Sequence, residues 1–126
     1  MNKVLVDSDI VIDFLRTKDG ALPKLLQSQR EKKLELFLSS VTVLELFSGK
    51  SSKKTTETLT ELIDGFAIVP LGRELAIFAG QIRRDARTSG SLGDLIVAAS
   101  ALSIDAKLAT RNKRHYYSIP KLRFYS

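Results

Sequence analysis

Val4-Leu5-Val6-Asp7-Ser8-Asp9-Ile10-Val11-Ile12-Asp13-Phe14-Leu15 is the stretch on which the reading of this chain turns. Three consecutive apolar residues read as a short buried strand, and the acid after them marks its carboxyl end. Ser8 or Asp9 then caps a helix that opens with Ile10-Val11-Ile12 and runs to Arg16, where Lys18-Asp19-Gly20 stops it. Open α/β sheets place their ligands beyond the carboxyl ends of their strands, which is where Asp7 falls. A carboxylate in such a place is costly unless something pairs with it, and a divalent cation is one good partner.

The same alternation continues outward from that stretch. A helix is expected from Ala21 to about Lys33, with Pro23 tolerated in its first turn. A strand at Leu36-Phe37-Leu38 follows, then a helical Val41 to Phe47, a polar loop from Lys50 to Thr56 and a helix from Thr58 to Asp64. Phe66 to Val69 reads as a third strand. Leu75, Phe78, Ala79 and Ile82 then recur at helical spacing between Arg73 and about Thr88. Ser89-Gly90-Ser91 breaks that helix, Gly93-Asp94 opens another over Leu95 to Leu102, and Lys107 to Thr110 is a fourth strand. Lys121 to Phe124, introduced by Pro120, reads as a fifth strand at an edge, where proline is tolerated. Strands alternating with helices imply an α/β fold, a mainly parallel sheet covered on both faces. The length of 126 residues fits one domain over 1–126.

The chain contains no cysteine, which removes zinc–thiolate sites, disulfides and thiol redox chemistry together. Its start is too poor in apolar residues for a signal peptide, and no stretch approaches the ~18 apolar residues of a membrane span, so a cytoplasmic protein without membrane attachment is expected. The net charge of +6 suits a polyanionic partner, and its distribution is informative. After Asp105 no acid follows, while Lys107, Arg111, Lys113, Arg114, Lys121 and Arg123 do, with Tyr116, Tyr117, Phe124 and Tyr125 among them. A solvated basic edge with ordinary core aromatics explains that segment; so does a surface that holds phosphates beside an acidic centre.

Four positions fall near the ends of predicted strands or at a helix start: Asp7, Glu45, Asp94 and Asn112. Singly, each has a plain structural explanation. Asp94 suits the positive end of a helix dipole, and Glu45 can be the polar side of an amphipathic helix. Leu44, Leu46 and Phe47 make the surroundings of Glu45 apolar, however, so that an unpaired carboxylate there would be costly. Asp13 reads as solvent-facing or paired with a nearby Lys or Arg. Oxygen donors without Cys or His among them point to Mg²⁺ or Mn²⁺ rather than zinc.

Taken in order, Val-Leu-Val-Asp-Ser-Asp-Ile-Val-Ile-Asp-Phe-Leu, Ser-Ser-Val-Thr-Val-Leu-Glu-Leu, Asp-Leu-Ile-Val-Ala-Ala-Ser-Ala-Leu and Leu-Ala-Thr-Arg-Asn-Lys-Arg-His-Tyr resemble the PIN-domain ribonucleases, more narrowly the VapC-type toxins of toxin–antitoxin pairs. The resemblance covers essentially the whole chain. It implies a three-layer α/β/α sandwich and a Mg²⁺- or Mn²⁺-dependent endoribonuclease, restrained by a cognate VapB-like antitoxin and expected to be a homodimer. It places the family's first three acids on Asp7, Glu45 and Asp94, with Asp7 and Asp94 as metal ligands and Glu45 ligating or orienting. The fourth falls on Asn112, which offers a carbonyl oxygen and no charge. One tightly held cation is therefore expected, with a second only when RNA phosphate is present. By the same resemblance water attacks the phosphodiester, leaving a 5′-phosphate. Ser8 and Thr110 orient carboxylates, and Arg111, Lys113 and Arg114 hold the RNA backbone. His115 is read as structural or phosphate-contacting rather than as a general base.

Asp7-Ser8-Asp9 also matches the start of haloacid-dehalogenase-like phosphatases, but Ile10-Val11 stands where Gly-Thr would follow. A receiver domain needs an acid after the third strand, where this chain has Pro70-Leu71-Gly72. Asn112 keeps a different class open: a PIN-like module that binds RNA or a partner without catalysis.

Overall fold

Val4, Leu5 and Val6 expose no surface. They form the inner part of β1 (Asn2–Val6) in the computed structural model, which describes residues 2–49, 53–87 and 90–126. β1 pairs in parallel with β2 (Leu34–Ser39) on one side, Leu5 opposite Phe37, and with β4 (Lys107–Ala109) on the other, Leu5 opposite Leu108. β3 (Ala67–Val69) adds to the far side of β2, giving the parallel order β3-β2-β1-β4.

Successive strand side chains point to opposite faces, so β1 feeds two cores at once. Leu5 joins Leu75 and Ala79 of α5 (Arg73–Ala86) and the run Leu95 to Ala101 of α6 (Leu92–Ser103). Val4 and Val6 join Ile10 and Val11 of α1 (Ser8–Thr17), Leu22 and Leu25 of α2 (Leu22–Arg30), Leu46 of α3 (Ser40–Ser48) and Leu59 of α4 (Lys53–Ile63). The result is the α/β/α layering expected from the alternation. Full burial of each of these β1 side chains stabilises the fold by roughly 1.5–3 kcal/mol. A slip of one residue would send Leu5 into the wrong core, so the register that places Asp7 is strongly specified.

Several elements differ from expectation for physical reasons. α1 is capped by neither Ser8 nor Asp9: Asp7 is the N-cap, its own carboxylate accepting from the Ser8 N–H at 2.8 Å. The segment read as polar loop is helical from Lys53, since α4 needs only Leu59, Leu62 and Ile63 on one side to dock. Lys50–Ser52, the rest of that loop, lie outside the described residues, as do Thr88 and Ser89. α6 starts one turn early because Ser91 caps it, its hydroxyl accepting from the Asp94 N–H at 3.1 Å. The fifth strand reduces to a single parallel bridge, Leu108 with Phe124, where Leu108 N–H donates to Arg123 and Tyr125 N–H to Leu108. Lys121, at φ 66°, turns the backbone into the left-handed region and ends any extended run there. Among the described residues no helix is long and apolar enough to cross a membrane.

Candidate active site

From β1 the chain moves to β2 and β3 on one side, then returns as β4 on the other. The switch between β1 and β4 opens a crevice at their carboxyl ends, where such sheets bind ligands. The Asp7 N–H donates to the Ala109 carbonyl at 2.9 Å, continuing the ladder one residue past β1. Its side chain, 5% exposed, is held by three donors. Oδ1 accepts from the Ser8 N–H; Oδ2 accepts from the hydroxyls of Thr110 at 2.8 Å and Tyr116 at 2.9 Å. Ser8 thus acts on Asp7 through its main chain.

Tyr116 ends a 3₁₀ turn, Lys113–Tyr116, that sequence reading did not foresee. Its ring belongs to the core that α5 and α6 share with Leu5 and is 1% exposed, yet its hydroxyl reaches Asp7 and lies 3.3 Å from Asp94 Oδ1. Burial first, then the charges of Asp7 and Asp94, raise the phenol's pKa, so it is neutral and a donor. Asp94 sits in the first turn of α6, where the helix dipole favours a negative charge, with His115 Nδ1 3.3 Å from its Oδ2.

Glu45 arrives from α3, which Ser39 caps at the end of β2. The buried hydroxyls of Ser39 and Ser100 lie 3.1 Å apart and tie the start of α3 to the middle of α6. A methyl group on Gly93 would sit 3.5 Å from Glu45 Oε2, which places the Glu45 carboxylate over the start of α6 beside Asp94. The expectation of an apolar surrounding is corrected here. Glu45 is exposed at the rim, and Leu44 and Phe47 next to it point outward at 65% and 42% exposure. Desolvation, then repulsion from Asp7 and from Asp94, raises the Glu45 pKa.

The rest of the expected set divides. Asn112 donates its backbone N–H to Thr110 Oγ1 at 3.0 Å, while among the described residues its side-chain amide makes no hydrogen bond to the acids. Asn112 lines an open pocket of about 500 Å³ with Arg111, Arg114 and His115. Arg111 is clamped by both oxygens of Asp13, at 2.6 and 3.0 Å, and Lys113 rests over the Phe124 ring. Arg114 is exposed and makes no ion pair among the described residues. Asp9, read only as a helix cap, reaches across to the Arg111 N–H at 2.9 Å, and its Oδ1 is buried without a partner. Burial and the Asp7 charge raise its pKa.

Asp7, Glu45 and Asp94 therefore share one rim, where the charges of Asp7 and Asp94 add to the proton affinity of Glu45. That is the setting a hard divalent cation relieves, and all three donors are oxygen. Among the described residues no three acidic or histidine side chains are gathered tightly enough to grip an ion as they stand. Glu45, exposed, is the one with room to move.

A family model described as PIN domain matches residues 4–122. The chain belongs to the PIN-domain family. This PIN domain is similar to Ribonuclease VapC10 of Mycobacterium tuberculosis, at 32% identity over 95% of this chain and 90% of the relative. It is also 27% identical to the tRNA(fMet)-specific endonuclease VapC of Shigella flexneri, over 98% of this chain and 96% of the relative. A DNA-bound VapBC of Salmonella typhimurium shares the fold with a TM-score of 0.85, at 23% identity over 99% of this chain and 98% of that one. These relatives place this PIN domain with the VapC-type ribonucleases.

Proposed function

We propose that this PIN domain is the toxin of a toxin–antitoxin pair: a Mg²⁺- or Mn²⁺-dependent endoribonuclease, held in check by a VapB-like antitoxin and acting in the cytoplasm, where RNA is. The observation that carries the reading is the convergence of Asp7, Glu45 and Asp94 on one rim, within a chain 32% identical to a VapC ribonuclease. Asp7 and Asp94 would hold the cation, with Glu45 closing the set from α3. When bound, the ion supplies Lewis acidity at the scissile phosphate and activates water for attack.

The chain's own residues do the rest. Ser8, Thr110 and Tyr116 fix the Asp7 carboxylate, so it need not reorganise when substrate arrives. Arg114, without an ion pair among the described residues and beside Asn112 and His115, is the cation of this segment best placed to take an RNA phosphate. Arg111 shapes that pocket from its clamp on Asp13.

The test is cleavage of a transfer RNA by the antitoxin-free protein with Mg²⁺, with Mn²⁺ and with chelator. Metal-dependent fragments bearing 5′-phosphates are expected. Tight RNA binding without cleavage in any metal would instead select the non-catalytic module, which Asn112 favours by bringing no charge. A 2′,3′-cyclic phosphate product would refute attack by water.

A further inference from the structure

We propose that Tyr116 is a positioning residue of the acidic site: its buried hydroxyl, shared between Asp7 and Asp94, sets the spacing and orientation in which the two carboxylates meet a divalent cation. The inference rests on the metal reading of that site and goes beyond it by assigning a residue outside the acid set.

The ring of Tyr116 is a core element, and phenylalanine would fill the same volume in the core that α5 and α6 share with Leu5. The hydroxyl is what needs explaining, since a buried O–H must find a partner. Its partners are Asp7 Oδ2 at 2.9 Å and Asp94 Oδ1 at 3.3 Å. These acids come from different elements, one after the central strand and one on α6. Among the described residues, no other side-chain hydrogen-bond donor reaches both. Removing the hydroxyl leaves Asp94 Oδ1 without that contact and sets two carboxylates near one another with nothing between them.

Counting lone pairs sharpens the assignment. Asp7 Oδ2 accepts from both Thr110 and Tyr116, which engages its two lone pairs, whereas Oδ1 accepts only the Ser8 N–H. The two hydroxyls therefore reserve Oδ2 and leave Oδ1 as the oxygen of Asp7 open to a ligand. Partners of this kind typically control metal affinity by 10–100-fold.

The experiment uses the full-length, antitoxin-free chain and its Tyr116→Phe variant. Mn²⁺ is titrated without RNA and free Mn²⁺ is read by electron paramagnetic resonance; chelated samples are melted in parallel. The expected result is a chelated variant that melts within a few degrees of wild type and binds Mn²⁺ roughly tenfold or more weakly. The Mn²⁺ concentration for half-maximal cleavage should rise by the same factor, with the rate restored at saturating Mn²⁺. Equal or tighter Mn²⁺ binding by the folded variant overturns the role of Tyr116 and leaves the metal site standing. A wild type that takes up no Mn²⁺ removes the metal reading and this inference together. A second measurement avoids dependence on the variant's folding. The chain has three tyrosines, so Tyr117→Phe/Tyr125→Phe protein reports Tyr116 alone. Mg²⁺ should change its phenol absorption saturably and reversibly with chelator, and an unchanged spectrum counts against the proposal.

Discussion

Asp7 and Glu45 bring the same functional group to the same rim and have opposite surroundings. Asp7 is buried under three donors contributed by its own turn, by the residue after β4 and by the 3₁₀ turn. Glu45 is exposed on α3, accepts no hydrogen bond among the described residues, and feels its neighbours chiefly as lost solvation and as repulsion from Asp7 and Asp94. One acid is fixed by hydrogen bonds from the protein; the other stands exposed without one among the described residues. On the proposed metal reading, a site divided in this way would take most of its affinity from the buried half and close its ligand set with the exposed half.

Replacing Asp7 attacks the buried half and carries the largest expected effect. Asp7→Asn keeps the shape but removes the charge and meets two hydroxyl donors with an amide. Cleavage should fall by at least about a thousandfold, the scale of several kcal/mol of lost charge stabilisation. A single-turnover assay at saturating Mn²⁺ checks it, and residual activity within tenfold of wild type would break the contrast. Thr110→Val is the milder version. It removes one donor from a site only 8% exposed and should cost ~1–3 kcal/mol of stability in urea melts, with weaker metal binding.

Arg114→Ala should weaken RNA binding by a factor that shrinks as salt is raised, and should lower the slope of log affinity against log salt by about one. A filter-binding series in chelator reads that slope.

Glu45→Gln tests the exposed half through pH. The Glu45 pKa is raised above its ordinary 4.5 in the folded chain, so the folded state binds the proton more tightly than the unfolded state does. Chelated protein should therefore lose stability as pH climbs from about 4.5 through the raised folded value. Glu45→Gln should flatten that loss, with a gain at pH 7 below ~1 kcal/mol because solvent screens an exposed group. Asp9, whose pKa is also raised, leaves a residual slope of the same sign. The Arg111–Asp13 pair should show the smallest effect: a double-mutant cycle is expected to give ~0.2–1 kcal/mol of coupling, since the arginine is 59% exposed.

The parts legible in the sequence are those with a local signature. Val4-Leu5-Val6 shows its burial by having no polar alternation, and the strand–helix rhythm gives the layers and the parallel sheet. Asp7, Glu45 and Asp94 could be picked out because each lies near a strand end or a helix start. What escaped depends on pairing between distant segments. Asp9 looked like a helix cap because nothing local says that β4 will lie beside β1 and bring the Arg111 N–H to it. Tyr116 looked like one aromatic among several, since whether its hydroxyl meets carboxylate or water is settled by the packing of the 3₁₀ turn against α6. The signal that could have found it is chemical: a tyrosine where the core asks only for a phenyl ring. The early start of α4 escaped because its first turn, Lys53 to Thr56, is polar and shows no apolar period, and that of α6 because it rests on the Ser91 cap.

The pairing of β1 with β4 also sets a timetable. Asp7 leaves the ribosome well before the hydroxyls that fix it, which belong to Thr110 and Tyr116, 103 and 109 positions later. A growing chain short of those residues has its acids but not the frame that orders them, because β4 must dock before Thr110 and Tyr116 can reach the rim. The acidic rim is thus ordered only once the segment that carries Thr110 and Tyr116 has been made and has docked. That delay leaves an inhibitor time to meet the protein as it becomes active.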